Sequence, residues 1–338
     1  MRYALLVSPA TNRVYAHAAG ALAVAELGVV SERVLAGALT DLREQRFGSV
    51  DYVTFDAPEL DELGRAWLSN LAATFALFRR DPDDRLVPLD LQRWDALDSD
   101  LLTIQKYPGK TNETFTRLLL NVTLAASAFA DQRRALSLLD PLCGRGTTLN
   151  QALTYGFHAT GVEHDKKDYE AYALFIQRWV KDKRLKHTAV SGHVKGFPKL
   201  DLTVGLDKER FKAGDVLRLS YVNADTHAIA DVFQPRSFDL IVTDAPYGVQ
   251  HGAHSGDATS RRPLELLTSA LPLWRAALRP GGALGIAWNT LVLRRDKLAA
   301  LLAENGLQVC DSPAYSGFEH RVDSSIQRDL LVARAPLT

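Results

Sequence analysis

Apolar residues along this chain follow two spacings. Short continuous runs (Tyr3 to Val7, Val50 to Phe55, Ala135 to Leu139, Leu217 to Val222, Ser237 to Thr243 and Ala283 to Trp288) have the length of buried strands. Longer stretches place apolar residues three and four apart and predict helices over 16–27, 59–80, 115–129, 167–180, 263–278 and 298–305. In the second of these, Leu60, Leu63, Trp67, Leu71 and Phe75 share one face, and Asp81-Pro82-Asp83-Asp84 ends it. Gln308 to Asp311 and Leu330 to Ala333 read as a closing C-terminal hairpin. Residues 1–95 separate as a small α/β domain, with packing as the expected role of Trp67 and Trp94. Residues 96–338 alternate strand and helix, the pattern of a parallel sheet flanked by crossover helices.

Composition narrows this picture only a little. The 338 residues exceed one ordinary domain, and 46% apolar residues are enough for a proper core. Formal net charge is zero, so any contact with nucleic acid must use a local patch. Two cysteines, Cys143 and Cys310, are too few for a disulfide scaffold or a zinc site. Neither a signal peptide nor a membrane-spanning run is evident, and the expected location is the cytoplasm.

The chemistry gathers where strands end. Asp140-Pro141-Leu142-Cys143-Gly144-Arg145-Gly146-Thr147-Thr148 follows one strand and opens a helix. Its two glycines let the backbone turn tightly beside a ligand, and the helix N-terminus favours a nucleotide. Further on, Thr160-Gly161-Val162-Glu163 ends a second strand on an acid placed for a ribose diol. A dinucleotide site wants a third glycine where Leu149 stands, so the NAD reading is weak. Asp244-Ala245-Pro246-Tyr247-Gly248 closes the run from Ser237. An acid, a backbone carbonyl, a stiffening proline and an aromatic face suit a flipped nucleobase whose amine must be held in line for reaction.

These motifs carry a resemblance. The Asp140 to Thr147 stretch resembles motif I of class I S-adenosylmethionine (SAM) methyltransferases. Asp244 to Tyr247 resembles the (Asp/Asn)-Pro-Pro-Tyr signature of enzymes that methylate exocyclic amino nitrogens of nucleobases. Gly109-Lys110-Thr111-Asn112-Glu113, feeding a helix just before motif I, is similar to the segment that closes over SAM in tRNA guanosine-N2 methyltransferases, the position-10 enzymes and their bacterial relatives. The resemblance spans about residues 103–338. It implies a Rossmann-like class I methyltransferase sheet with a closing C-terminal hairpin, SAM as cofactor and RNA, above all tRNA, as partner. It also implies cofactor contacts at Lys110, Thr111, Asp140, Cys143, Gly144, Gly146, Thr147, Glu163 and Asp225. Catalytic roles fall to Asp244, Ala245, Pro246 and Tyr247. Two departures stand out: the family signature has proline where Ala245 stands, and residues 1–95 show no recognisable RNA-binding THUMP domain.

Several readings stay open at this point. Thr111 or Asn112 serves equally well as a helix cap, and the upstream glycine of a Walker A phosphate loop is absent. The basic run from Lys181 to His187, continued by His193, Lys195 and Lys199, fits phosphate contact and a solvated loop alike. His251 and His254 lie in a polar loop expected to act as a lid, without a third ligand for a metal. Arg321 and Arg328 read as surface charges beside the hairpin. Adenine N6 in DNA or RNA is the alternative acceptor, and a catalytically inactive scaffold that binds RNA or protein is a different class of function. Cytosine C5 chemistry lacks its cysteine nucleophile near Ala245 and Tyr247, and Cys143 reads as a small packing residue.

Overall fold

The computed structural model describes residues 1–9, 13–131, 135–246 and 258–338. Its N-terminal part contains β1 (Arg2–Val7), α1 (Arg13–Arg33), β2 (Thr40–Phe47), β3 (Val50–Asp56), α2 (Glu62–Asn70), β4 (Thr74–Arg80) and β5 (Leu86–Leu89). The five strands form a wholly antiparallel sheet in the order β2–β3–β1–β4–β5.

The helix expected over 59–80 is corrected here, because α2 stops at Asn70 and the last third of the stretch is a strand. The Asn70 side chain pins that end. Its Nδ2 donates to the carbonyls of Ala66 and Gln92, and its Oδ1 accepts from the Trp94 amide at 2.9 Å. Leu71 leaves the helix in extended conformation, and Thr74, Phe75 and Phe78 suit the pleated strand that follows. Phe75, expected on the helix's buried face, is 58% exposed. Trp67 packs edge-on against Trp94 with ring centroids 5.0 Å apart.

The larger part follows with α3 (Asp100–Thr103), α4 (Glu113–Ala126), β6 (Ser137–Asp140), α5 (Thr147–Thr154), β7 (His158–Glu163) and α6 (Lys166–Asp182). Next come β8 (Lys186–Val194), β9 (Phe197–Gly205), α7 (Lys208–Lys212), β10 (Leu217–Asn223), α8 (Ile229–Val232) and β11 (Phe238–Asp244). The chain closes with α9 (Ala258–Ala277), β12 (Leu278–Asn289), α10 (Arg295–Glu304), β13 (Gln308–Val309), β14 (His320–Arg321) and β15 (Gln327–Arg334). The second sheet has the order β13–β15–β12–β11–β6–β7–β10–β9–β8, with β14 paired to β15. β6, β7, β10, β11 and β12 are parallel, and strand order reverses between β6 and β11. Ligands in open α/β sheets lie outside the carboxyl ends of the strands at such a reversal.

Side chains alternate across this sheet as the pleat requires. Leu138 and Leu240 join a core with Phe115, Leu149 and Tyr172, while Leu139 and Ile241 join another with Leu267, Trp274 and Leu298. The first core continues into the N-terminal part through Leu22, Trp67 and Leu68. A buried polar cluster crosses the same boundary. The Glu26 carboxylate of α1 accepts from the Ala72 amide and from Asn121 Nδ2 of α4, and the Tyr155 hydroxyl donates to Asn121 Oδ1.

The basic run starts at the end of α6, with Lys181, and from Lys186 onward it is strand rather than loop. Lys186 to Lys199 lie in the β8–β9 hairpin, which turns at Lys195 and Gly196, both with positive φ as a two-residue turn demands. β9 runs antiparallel to β10 with Lys199 opposite Val222, so the hairpin's tip lies at the carboxyl end of the sheet.

Candidate active site

The glycine turn is built by its backbone. Gly144 and Gly146 have φ of 49° and 77°, and Gly146 caps α5 in the left-handed region. A Cβ at Gly146 would stand 2.5 Å from Tyr172 Cζ, so packing as well as conformation demands glycine there. The Tyr221 hydroxyl donates to the Gly144 carbonyl at 2.8 Å and holds the turn from below. The Cys143 amide and thiol both point at the Val162 carbonyl, 3.1 and 3.3 Å away. Burial pushes that thiol's pKa well up, so Cys143 is a packing residue rather than a nucleophile.

At the end of β7, Glu163 accepts from the Gly144 amide at 2.8 Å and from the Asp165 amide at 2.6 Å. Its carboxyl pKa is raised, mainly by burial, with these two bonds working the other way. Asp225 ends the next strand elsewhere: its carboxylate caps the turn at Thr226–Ala228, pairs with His227, and does not line the cavity described next.

Asp244 ends β11, the strand beside β6, and so faces the glycine turn. The Ala245 amide donates to the Ala287 carbonyl at 2.8 Å, a bond that a proline at this position could not make. From the other side, the Thr111 hydroxyl donates to Asp244 Oδ2 at 2.6 Å. Asn112 does the capping of α4, accepting from the amides of Thr114 and Phe115, which leaves Thr111 for the site. A cavity of about 300 Å³ is walled by Pro108 to Thr111 without Lys110, by Asp140, Leu142 to Thr148 in part, and by Asp244, Ala245 and Pro246. Tyr247, His251 and His254 lie outside the described residues. Lys110 turns back into its own segment, donating to the carbonyls of Leu102 and Gln105 and pairing with Glu113.

Asp140 is 2% exposed and burial raises its carboxyl pKa to about 7. The Thr243 hydroxyl, the Leu142 amide and Thr148 oppose that rise, and the neighbouring Asp244 charge adds to it. Among the described residues, no group of three histidine, cysteine, aspartate or glutamate side chains is placed to hold a metal. No described helix is long and apolar enough to cross a membrane.

Two sets of residues here were not singled out from sequence. Arg145, between the two glycines, bonds Asp168 at 2.7 Å and lies over the Tyr107 ring, whose hydroxyl is 3.2 Å from Thr147 Oγ1. An arginine inside a glycine turn was the visible signal, but its partners come from α6 and from the segment before α4. Arg328, expected on the surface, is 5% exposed; its guanidinium sits 4.5 Å from the Phe115 ring centroid and its Nη2 3.9 Å from Asp244 Oδ2. Arg321 is exposed, donating to the Asp323 carbonyl.

A parallel sheet that reverses between β6 and β11, with a glycine turn after one strand and an acid after the other, is the Rossmann-like architecture of class I methyltransferases. Residues 110–259 match the family model of the UPF0020, RMKL-like methyltransferase domain. The chain is a SAM-dependent methyltransferase. The residues present fit that cofactor: a tight glycine turn opening α5, and an acid that accepts from its Gly144 amide at the end of the next strand. No curated protein matches the sequence. Among solved structures, a TehB-like SAM-dependent methyltransferase from Corynebacterium glutamicum is 16% identical, with 61% of this chain and 83% of that one covered and a TM-score of 0.36. The Burkholderia thailandensis 1,6-didemethyltoxoflavin-N1-methyltransferase, bound to 1,6-didemethyltoxoflavin and S-adenosylhomocysteine, is 18% identical, with 67% and 80% covered and a TM-score of 0.36. The ribosomal protein L11 methylase of Lactobacillus delbrueckii subsp. bulgaricus is 16% identical, with 66% and 80% covered and the same score.

Proposed function

We propose that this enzyme methylates an exocyclic amino nitrogen of a nucleobase, guanine N2 in RNA, with tRNA as the substrate. The observation that carries the reading is Asp244, fixed by Thr111 on the wall of the cavity that also holds the glycine turn. A base amine is a poor nucleophile because its lone pair is delocalised into the ring. Held by acceptors at its hydrogens, it presents nitrogen in one direction only. Asp244 supplies one acceptor and the Ala245 carbonyl the other. The bond from the Ala245 amide to Ala287 gives the loop the stiffness that the family's proline would provide. The bound cofactor supplies an electrophilic methyl group, and no acid chemistry at the base is needed before transfer.

RNA as the partner draws support from the β8–β9 hairpin. Between Arg184 and Lys199 it contains no acid, and Lys186, His193 and Lys195 are exposed. Its tip lies at the end of the sheet where Asp244 and Glu163 stand. Phosphates of a bound strand would meet this edge while a splayed base enters the cavity.

Nucleoside mass spectrometry of tRNA from a deletion strain tests the proposal. The expected result is loss of N2-methylguanosine. Loss of N6-methyladenosine with N2-methylguanosine intact would move the enzyme to adenine.

A further inference from the structure

The C-terminal hairpin brings a buried cation to the active-site acid. We propose that Arg328 is a positioning residue, holding the Asp244 carboxylate oriented as an acceptor for the substrate amine. This role rests on the reading of Asp244 given above.

Arg328, next to the start of β15, lies opposite Asn289 of β12, and Asn289 fixes that corner. The Asn289 amide group donates to the Ser325 carbonyl at 3.0 Å, and its oxygen accepts from the Gln327 amide at 3.1 Å. The guanidinium then runs over the Phe115 ring of α4 toward Asp244. Burying a guanidinium is costly unless it meets negative charge, and Asp244 lies within ion-pair range. Thr111 and Arg328 both approach Oδ2, one with a hydroxyl and one with a charge.

The charges around Asp244 explain why a cation is needed there. Asp140, on the adjacent strand, is a second buried acid and repels it. His320 of β14 stacks obliquely on Phe115, 5.3 Å between centroids, and burial lowers its pKa, so it faces the site neutral. Lys110 is spent on Glu113. Arg328 is thus a buried cation within ion-pair range of Asp244, sharing Oδ2 with the Thr111 hydroxyl.

Single-turnover methyl transfer, beside S-adenosylhomocysteine titration, tests this in Arg328→Gln, Arg328→Lys and Asp244→Asn. Arg328→Gln should slow transfer at saturating cofactor by on the order of 10- to 100-fold, as expected for loss of a charged partner. Cofactor affinity should stay within about threefold. Arg328→Lys should recover most of the rate. A folded Arg328→Gln enzyme with full rate, or one whose rate and cofactor affinity fall together, overturns the role. If that variant does not fold, Arg328→Lys decides: a rate near wild type supports the role, and lost turnover with intact cofactor binding overturns it. Full turnover in Asp244→Asn would instead remove the reading of the loop itself, and this role with it.

Discussion

The Thr111 hydroxyl donates to Asp244 Oδ2 over 2.6 Å, joining positions 133 apart in sequence. The bond ties the segment in front of α4 to the end of β11, so the wall over the cavity and the acid at its base are one unit. Thr111→Val keeps the shape and removes the donor. Turnover should fall by about 10- to 100-fold, the worth of a hydrogen bond to a charged group, with cofactor affinity nearly unchanged. Asp244→Ala should cost more, on the order of 10²–10⁴ in single-turnover rate. Full turnover in Asp244→Ala would displace the active site from this loop.

Glu163 should show the opposite pattern. Its carboxylate already accepts from Gly144 and Asp165, so it organises the glycine turn. Glu163→Ala should weaken S-adenosylhomocysteine binding by about 1.5–3 kcal/mol. At saturating cofactor the methyl-transfer step should recover most of its rate. Calorimetry and single-turnover kinetics separate the two effects. An unchanged dissociation constant would mean that the acid is there only to hold the turn.

What could be seen in the sequence was what is local to it. The glycine turn after Asp140 and the acid at Asp244 sit where backbone geometry and chemistry coincide, and adjacent parallel strands bring them together. Residues whose role depends on distant partners were hidden. Arg328 looks like any arginine near a chain end until β15 pairs with β12 and places it over Phe115. Lys110 looked like a ligand because Gly-Lys-Thr does, but its own turn offers it two carbonyls and Glu113. β4 was misread because Leu71 and Phe75 continue a helical spacing that the Asn70 side chain cuts off. The β8–β9 hairpin had a visible turn signal in Lys195-Gly196, masked by the lysines around it.

The hairpin gives an ionic prediction. Replacing Lys186, Lys195 and Lys199 together by glutamine should weaken RNA binding at low salt. If each contacts a phosphate of single-stranded RNA, the slope of log affinity against log salt should fall by about 0.7 per lysine. Turnover at saturating RNA should change little, since none of the three lines the cavity. RNA titrations at several salt concentrations measure this directly. An unchanged slope would place the phosphate contacts elsewhere.

Glu26 carries the pH dependence of the joint between the two sheets. It is fully buried, and that burial raises its carboxyl pKa from 4.5 to about 7, against the pull of Asn121, the Ala72 amide and Arg117. The folded protein therefore binds a proton that the unfolded chain has released between those two values. Stability from this group is full below pH 4.5, declines as pH rises toward 7, and is flat beyond. At about 1.4 kcal/mol per pH unit the whole change is on the order of 3 kcal/mol. Glu26→Gln cannot ionise, so the difference in unfolding free energy between wild type and variant should drift with pH over that window and level off above it. Other buried acids, Asp140 among them, titrate in both proteins and cancel in the difference. Glu26→Ala should be destabilised throughout by about 1–3 kcal/mol, because the Ala72 amide and Asn121 lose their acceptor. Denaturant titrations at intervals of pH test both variants. A wild-type-minus-Gln difference that stays constant from acid to neutral pH would mean that Glu26 is already ionised inside the fold, with Arg117 as its effective counter-ion.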